Sequence, residues 1–408
     1  MNEIIANINI KLMPSELLSY FSVELICILG IVLNFIISFF ILKNLKLKRL
    51  SDILTCSIFC INSIILTAFL FQGESFSIRN DLVVFNNNTI FFKLFINIFA
   101  IFFILITYKF TRKSKYRVPA INSILIAIIM LTGLLLTSDN FTFTYILLEG
   151  IIILIYKYAS KMRLKTNSIY SLEYITISFC ATFLFVMFYL MDYLVDDVLQ
   201  KSIVQSCMAL SLLLKIGLFP IFNYSIDKKC RSNIAYSVLL FCFLPFAGAV
   251  AFNKIISLCM YNEVCQLSSC VFVLLCAFLA SINAFKTKNL TGYIISIGQF
   301  YTCFYILNSI FTKDLNPGFL IIAICLMLCL YSMIRIYKNK NIYRLIFSML
   351  IIATALLVPI FGFDILYNIY VFDKIGFYTL NTVIFCNVLL IIKTLKLLES
   401  FYKINIKF

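Results

Sequence analysis

Residues 118–158 read VPAINSILIAIIMLTGLLLTSDNFTFTYILLEGIIILIYKY. Two apolar runs, 118–137 and 141–158, meet at the polar turn Ser138, Asp139, Asn140. Each is long enough to cross a hydrocarbon layer of ~30 Å at a helical rise of about 1.5 Å per residue. The runs are continuous rather than alternating, which argues against a β-barrel. A helix then remains as the spanning form that satisfies its own backbone.

The same pattern extends in both directions. Apolar spans are expected at 20–42, 53–71, 89–108, 118–137, 141–158, 174–191, 202–224, 234–258, 264–285, 290–311, 318–337, 343–372 and 376–397. The twelfth is too long for one straight crossing and contains Pro359 and Gly362, so it reads as a broken helix. Of 408 residues, 62% are hydrophobic and 13% charged, and the mean hydropathy is +1.02. A soluble chain of this length needs far more polar surface. The expectation is an all-α polytopic bundle of about 13 spans: an N-terminal segment 1–19, a transmembrane domain 20–398 and a basic tail 399–408.

Loop charges orient these spans. Lys43, Lys46, Lys48 and Arg49 follow the first span, and Arg112, Lys113, Lys115 and Arg117 the third. Basic clusters recur after the fifth, seventh, ninth and eleventh. Loops after even-numbered spans carry Glu74 and Asp81, Asp139, Asp192 with Asp196 and Asp197, Glu263 and Asp314. Thirteen spans put every basic loop on one side together with Lys403 and Lys407, the cytoplasmic or matrix side by the positive-inside rule, with the N-terminus opposite. The net charge of +16 thus serves topology and anionic headgroups such as cardiolipin, not nucleic acid. Residues 1–19 have neither a basic n-region nor an Arg-rich amphipathic character, so neither a signal peptide nor a transit peptide is expected there. Phe, Ile, Asn, Lys and Tyr are abundant and Trp and His absent, a bias that fits an AT-rich, organelle-encoded source.

Fifteen cysteines are scattered, most within apolar runs, where Cys packs as a small hydrophobe. Cys56 and Cys60 have helical spacing, but without histidine or a CxxC they make a poor metal site, so no metal is expected. Any proton path must use Lys, Glu, Asp, Tyr and water, since histidine is absent.

Charge inside a span is costly and points to function. Glu149 sits near the middle of span five and Lys215 near the middle of span seven, in MALSLLLKIGLFPIFNYS. At similar depth they can form an ion pair that an arriving proton opens, or one that only fixes helix register. Gly217 and Pro220 follow Lys215 and should break span seven, as Pro359 and Gly362, followed by Asp364, break span twelve. Two breaks five spans apart suit either an internal repeat of transporter type or simple proline kinks.

These stretches resemble a known family. GLLLTSDNFTFTYILLEGIIILIYKY (133–158) and LEYITISFCATFLFVMFYLMD (172–192) are similar to the fourth to sixth helices of the N-type antiporter-like subunits, subunit 2, of respiratory NADH:ubiquinone oxidoreductase (complex I). KIGLFPIFNYSIDKKCRSNIAYS (215–237) resembles the family's broken seventh helix and loop, K-x-x-x-x-P-x-H-x-W-x-P-D-x-Y, with Lys215, Pro220 and Asp227 matching. KNLTGYIISIGQF (288–300) resembles KR-x-x-AYSS-x-x-Q, with Lys288, Tyr293 and Gln299 matching, and VPIFGFDILYNIYVF (358–372) resembles the broken twelfth helix. The likeness covers most of the chain, and order and spacing carry it.

The chain also departs from the pattern. Phe222 and Tyr224 replace the family's His and Trp. The eighth-helix lysine aligns with Pro245, with Lys254 almost three turns on, and the twelfth-helix lysine is replaced by Asn368 or Leu366, with Asp364 the nearest ionisable group. A fourteenth helix is absent.

The resemblance implies a membrane-arm subunit of complex I in the mitochondrial inner membrane, with the N-terminus on the intermembrane side and the C-terminus in the matrix. Its partners would be other membrane-arm subunits, above all adjacent antiporter-like ones. NADH, FMN, iron–sulfur clusters and ubiquinone would belong to other subunits, and this chain would hold no cofactor. Glu149 would be the ion-pair modulator and Lys215 the central proton carrier, with Lys254, Asp364 and Lys288 as weaker candidates for the exit half. Two alternatives stay open: a cation/proton antiporter subunit on the same fold, or a structural membrane-arm subunit that has lost pumping.

Overall fold

A computed structural model describes residues 21–40, 45–73, 76–78, 83–113, 118–161, 165–217, 243–259, 263–287, 290–312, 381–386, 388–393 and 396. The named elements are α1 (Ser22–Phe40), α2 (Leu45–Gln72), a short hairpin of β1 (Phe76–Ile78) and β2 (Val83–Phe85), α3 (Asn87–Lys113) and α4 (Val118–Thr137). After these come α5 (Phe141–Lys161), α6 (Lys165–Leu194), α7 (Val198–Lys215), α8 (Leu244–Cys259), α9 (Glu263–Lys286) and α10 (Leu290–Thr312). Residues within Asn381–Lys393 are also helical.

Among the described residues six helices are long and apolar enough to cross a membrane. They are Arg49–Gln72, Asn87–Leu105, Val118–Thr137, Phe141–Tyr158, Ile175–Leu194 and Val264–Lys286. They fall on the expected spans two to six and nine. α1, α8, α10 and the helical residues near 381–393 fall on spans one, eight, ten and thirteen. Spans 318–337 and 343–372 lie outside the described residues, and Pro220, Lys288, Pro359, Gly362 and Asp364 lie there too. The described helices therefore give a multi-span helical protein without reaching a count of thirteen.

The chain divides into two compact units, one within residues 1–77 and 84–133, the other within 78–83 and 134–408. In the first, α2 packs against both α1 and α3. Buried amides and hydroxyls fasten its helices, because hydrocarbon offers them no water. Ser51 donates to Asn34 Oδ1 at 2.6 Å, Asn34 donates to Thr55 Oγ1 at 3.2 Å, and Asn122 on α4 donates to Asp52 Oδ1 at 2.9 Å.

In the second unit α5 packs on α6, α6 on α7, α7 on α9 and α9 on α10, while α8 lies against α5, α7 and α10. α5 and α6 are antiparallel, and aromatic rings set their register: Phe141 stacks on Tyr189 at 5.0 Å and Tyr145 on Phe185 at 4.4 Å between centroids. Gly248 brings α8 against the end of α7. A Cβ there would stand 2.5 Å from Ile216 Cγ1 and 3.0 Å from its Cβ. The free side of α6 shows Phe179, Phe183 and Leu190 at 56–66% exposure, an apolar face that suits lipid or a protein neighbour and not water.

Candidate functional site

Within the expected span seven, the described helix runs as far as Lys215. α7 ends there, Ile216 N–H donates to Leu212 O at 3.0 Å and Gly217 N–H to Leu214 O at 3.1 Å. Gly217 has φ 85°, the left-handed region in which a Cβ is strained, so glycine is the residue suited to ending the helix here. The charge of Lys215 thus sits on the last turn, where the helix dipole favours a cation.

Lys215 is 1% exposed, so its ammonium must find protein partners. It forms an ion pair with Glu149 Oε1, and its Nζ donates to Tyr145 Oη and to Thr182 Oγ1, each at 2.9 Å. Nζ is nearer the Tyr145 oxygen than the ring centroid, which lies 4.4 Å away, so that contact is first a hydrogen bond. Glu149 and Tyr145 stand one turn apart on α5, and Thr182 faces them from α6 just beyond the aromatic register pairs. Three helices converge on one cation.

The Thr182 hydroxyl has one hydrogen and two acceptors in reach, Glu149 Oε1 at 2.7 Å and Ser178 O at 2.8 Å. Turned to Glu149 it stabilises the carboxylate, and turned to Ser178 it withdraws that support. The side chain of Glu149 is 25% exposed whereas that of Lys215 is 1% exposed. The carboxylate is therefore the accessible half of the pair. Such a pair can respond to a proton: neutralising Glu149 removes the counter-charge of a buried ammonium.

Sequence reasoning found both charges and missed Tyr145 and Thr182. Helical spacing of four from Glu149 was the available signal for Tyr145. Thr182 had only its hydroxyl in an apolar run.

Lys254 lies elsewhere in this unit. It is 6% exposed, and its Nζ donates to Leu136 O at 2.7 Å and to Ser138 O, with Asp139 Oδ1 at 3.8 Å. These groups are the C-terminal end of α4, so Lys254 caps that helix. Tyr293 and Gln299 lie buried on α10. Among the described residues no three His, Cys, Asp or Glu side chains gather as a metal site requires.

No protein-family model and no curated protein matches the sequence. Solved structures do match. A chain of the membrane-bound sulfane sulfur reductase, an archaeal respiratory membrane complex, superimposes with a TM-score of 0.71 at 14% identity, covering 91% of this chain and 86% of that one. A chain of respiratory complex I from Thermus thermophilus with bound aureothin gives 0.66 at 10% identity, covering 91% and 88%. One from the same complex with bound NADH gives 0.64 at 11%, covering 91% and 87%. Over nearly its whole length the chain shares its fold with chains of these respiratory assemblies.

Proposed function

We propose that this chain is a membrane-arm subunit of a complex I-like respiratory assembly, of the antiporter-like subunit 2 type, and that Lys215 and Glu149 take part in proton translocation coupled to electron transfer. The observation that carries this is the pair itself: a fully buried lysine at a helix end, held by a partly accessible carboxylate and two hydroxyls. Buried ionisable groups in membrane helices mark ion and proton pathways far more often than they mark packing, and helix ends inside a membrane protein are where such pathways bind their ions. NADH, FMN, the iron–sulfur clusters and ubiquinone would be handled by partner subunits. Anionic lipid, cardiolipin included, would meet the basic loops. The mitochondrial inner membrane is the proposed location.

The test is Lys215→Met in the assembled complex reconstituted in vesicles. Assembly and electron transfer should persist while proton translocation is lost, and pumping at the unaltered rate sinks the mechanism.

A second reading, a cation/proton antiporter subunit, stays open because the chain matches a sulfane sulfur reductase chain as well as complex I chains at only 10–14% identity, a likeness of fold alone. The fold therefore does not select the reaction. Flavin, iron–sulfur clusters and NADH oxidation co-purifying with the chain support the first reading. A purified assembly without them supports the second.

A further inference from the structure

The first unit contains its own buried ion pair. Glu24, in the first turn of α1, accepts from Lys93 Nζ of α3 at 2.5 Å. The Lys93 and Glu24 side chains are 2% and 8% exposed, so this is a more enclosed pair than Lys215–Glu149. The Lys93 ammonium stands 4.6 Å from the centroid of the Phe85 ring, and its stem passes Gly133, whose missing side chain leaves room 3.6 Å from Cε.

The groups around the pair point to a ligand. One turn along α1 from Glu24, Cys27 accepts from Asn62 Nδ2 of α2 at 3.2 Å, and one turn along α3 from Lys93, Asn97 Nδ2 donates to Lys93 O at 2.8 Å. Glu24 Oε2, Asn62 Oδ1 and Asn97 Oδ1 are all buried without a donor among the described residues, and Ser22 Oγ beside Glu24 is likewise buried. A carboxylate oxygen and amide carbonyls only accept, so whatever completes them must donate. A metal cation is a poor occupant, because Lys93 already holds the positive charge at Glu24. Water fits Glu24 Oε2, because buried polar groups without a protein donor are where buried water is retained.

Among the described residues, the charged and titratable groups that face Glu24 are Lys93 from α3 and Cys27 on its own helix, while α2 presents the neutral Asn62. We propose that Glu24 and Lys93 form a second proton-exchanging centre, in which bound water delivers a proton to Glu24 Oε2. The step balances simply. A proton entering from the aqueous side adds to the bound water as one of that water's O–H bonds breaks and its proton passes to Oε2. The water stays neutral, and the neutral pair becomes a carboxylic acid beside an unneutralised ammonium, net charge one. Release through the same water restores the pair. This centre shares no residue with Lys215–Glu149, so it stands or falls independently of the proposed function.

The experiment is an infrared difference titration of the intact membrane assembly in H2O and D2O. A carboxyl C=O band should grow on acidification, persist in Glu149→Gln and vanish in Glu24→Gln. It should shift as soon as D2O is mixed in, and Lys93→Met should displace its midpoint by about tenfold or more in proton concentration. If Glu24→Gln alone does not assemble, Glu24→Gln/Lys93→Met removes both charges and supplies the bandless reference. A spectrum with no Glu24-dependent band over the range in which the assembly stays intact overturns the proposal. A band that exchanges with D2O only over hours also overturns it, because that pair would be dry.

Discussion

Lys215 and Glu149, 66 residues apart in the chain, form an ion pair in which the lysine is enclosed and the carboxylate is not. The asymmetry makes their substitutions unequal. Glu149→Gln removes the counter-charge of a buried ammonium, and breaking a buried pair from one side costs about 3–5 kcal/mol. Lys215→Met leaves the less enclosed partner of the pair, a carboxylate still bonded by Thr182, so its cost is smaller. Thermal unfolding of the assembled complex should rank the variants Glu149→Gln, then Lys215→Met, then Glu149→Gln/Lys215→Met closest to the parent. An equal loss for the two single variants is inconsistent with the burial difference.

Thr182 should matter through its hydrogen rather than its bulk. Thr182→Val keeps shape but strips a hydrogen bond from both Lys215 and Glu149, a loss of about 1–3 kcal/mol for a buried polar group. Thr182→Ser restores the hydroxyl. Proton translocation measured against pH should be displaced in the valine variant and recover in the serine variant. A profile unmoved by valine means that Thr182 only fills space.

Both charges of the site were legible because an ionisable group in a long apolar run has no ordinary explanation. Its hydroxyls were not, because Tyr and Thr are frequent in membrane helices and only the α5–α6 register brings them to the charge. Glu24 and Lys93 escaped notice for a related reason. Both lie within the outer turns of their spans, where long charged side chains usually reach toward the interface. Here they turn inward and pair. The end of α7 lies two residues before Gly217, which the sequence had marked for its lack of a side chain. Gly217 then closes the turn. The alternation of loop charge identified the class of protein, but it carries no information on which helices touch.

Gly248 should be nearly irreplaceable while Ile216 keeps its size. Gly248→Ala places a methyl group 2.5–3.0 Å from three atoms of Ile216, including its Cβ, so flexing the side-chain tip cannot relieve it. Overpacking of this kind costs about 1–3 kcal/mol. Because Ile216 directly follows Lys215, the strain should also reach the ion pair. Ile216→Ala in the same chain should recover most of the melting temperature. Additive losses in the double variant rule out this contact as the cause.

Lys254 tests whether a buried lysine here must be a proton carrier. Its ammonium is bonded to the carbonyls of Leu136 and Ser138, which are groups that only accept and do not titrate, while the Asp139 carboxylate, 51% exposed, stands at 3.8 Å. That surrounding suits a side chain that holds the end of α4. Lys254→Met should therefore destabilise the assembly by about 1–3 kcal/mol, the cost of leaving buried carbonyls unpaired. Proton translocation per molecule of surviving complex should stay unchanged. Lys254→Arg, which keeps a donor in reach of both carbonyls, should recover most of the stability. If instead Lys254→Met assembles normally and abolishes translocation, the capping role is secondary and Lys254 belongs to the proton path with Lys215.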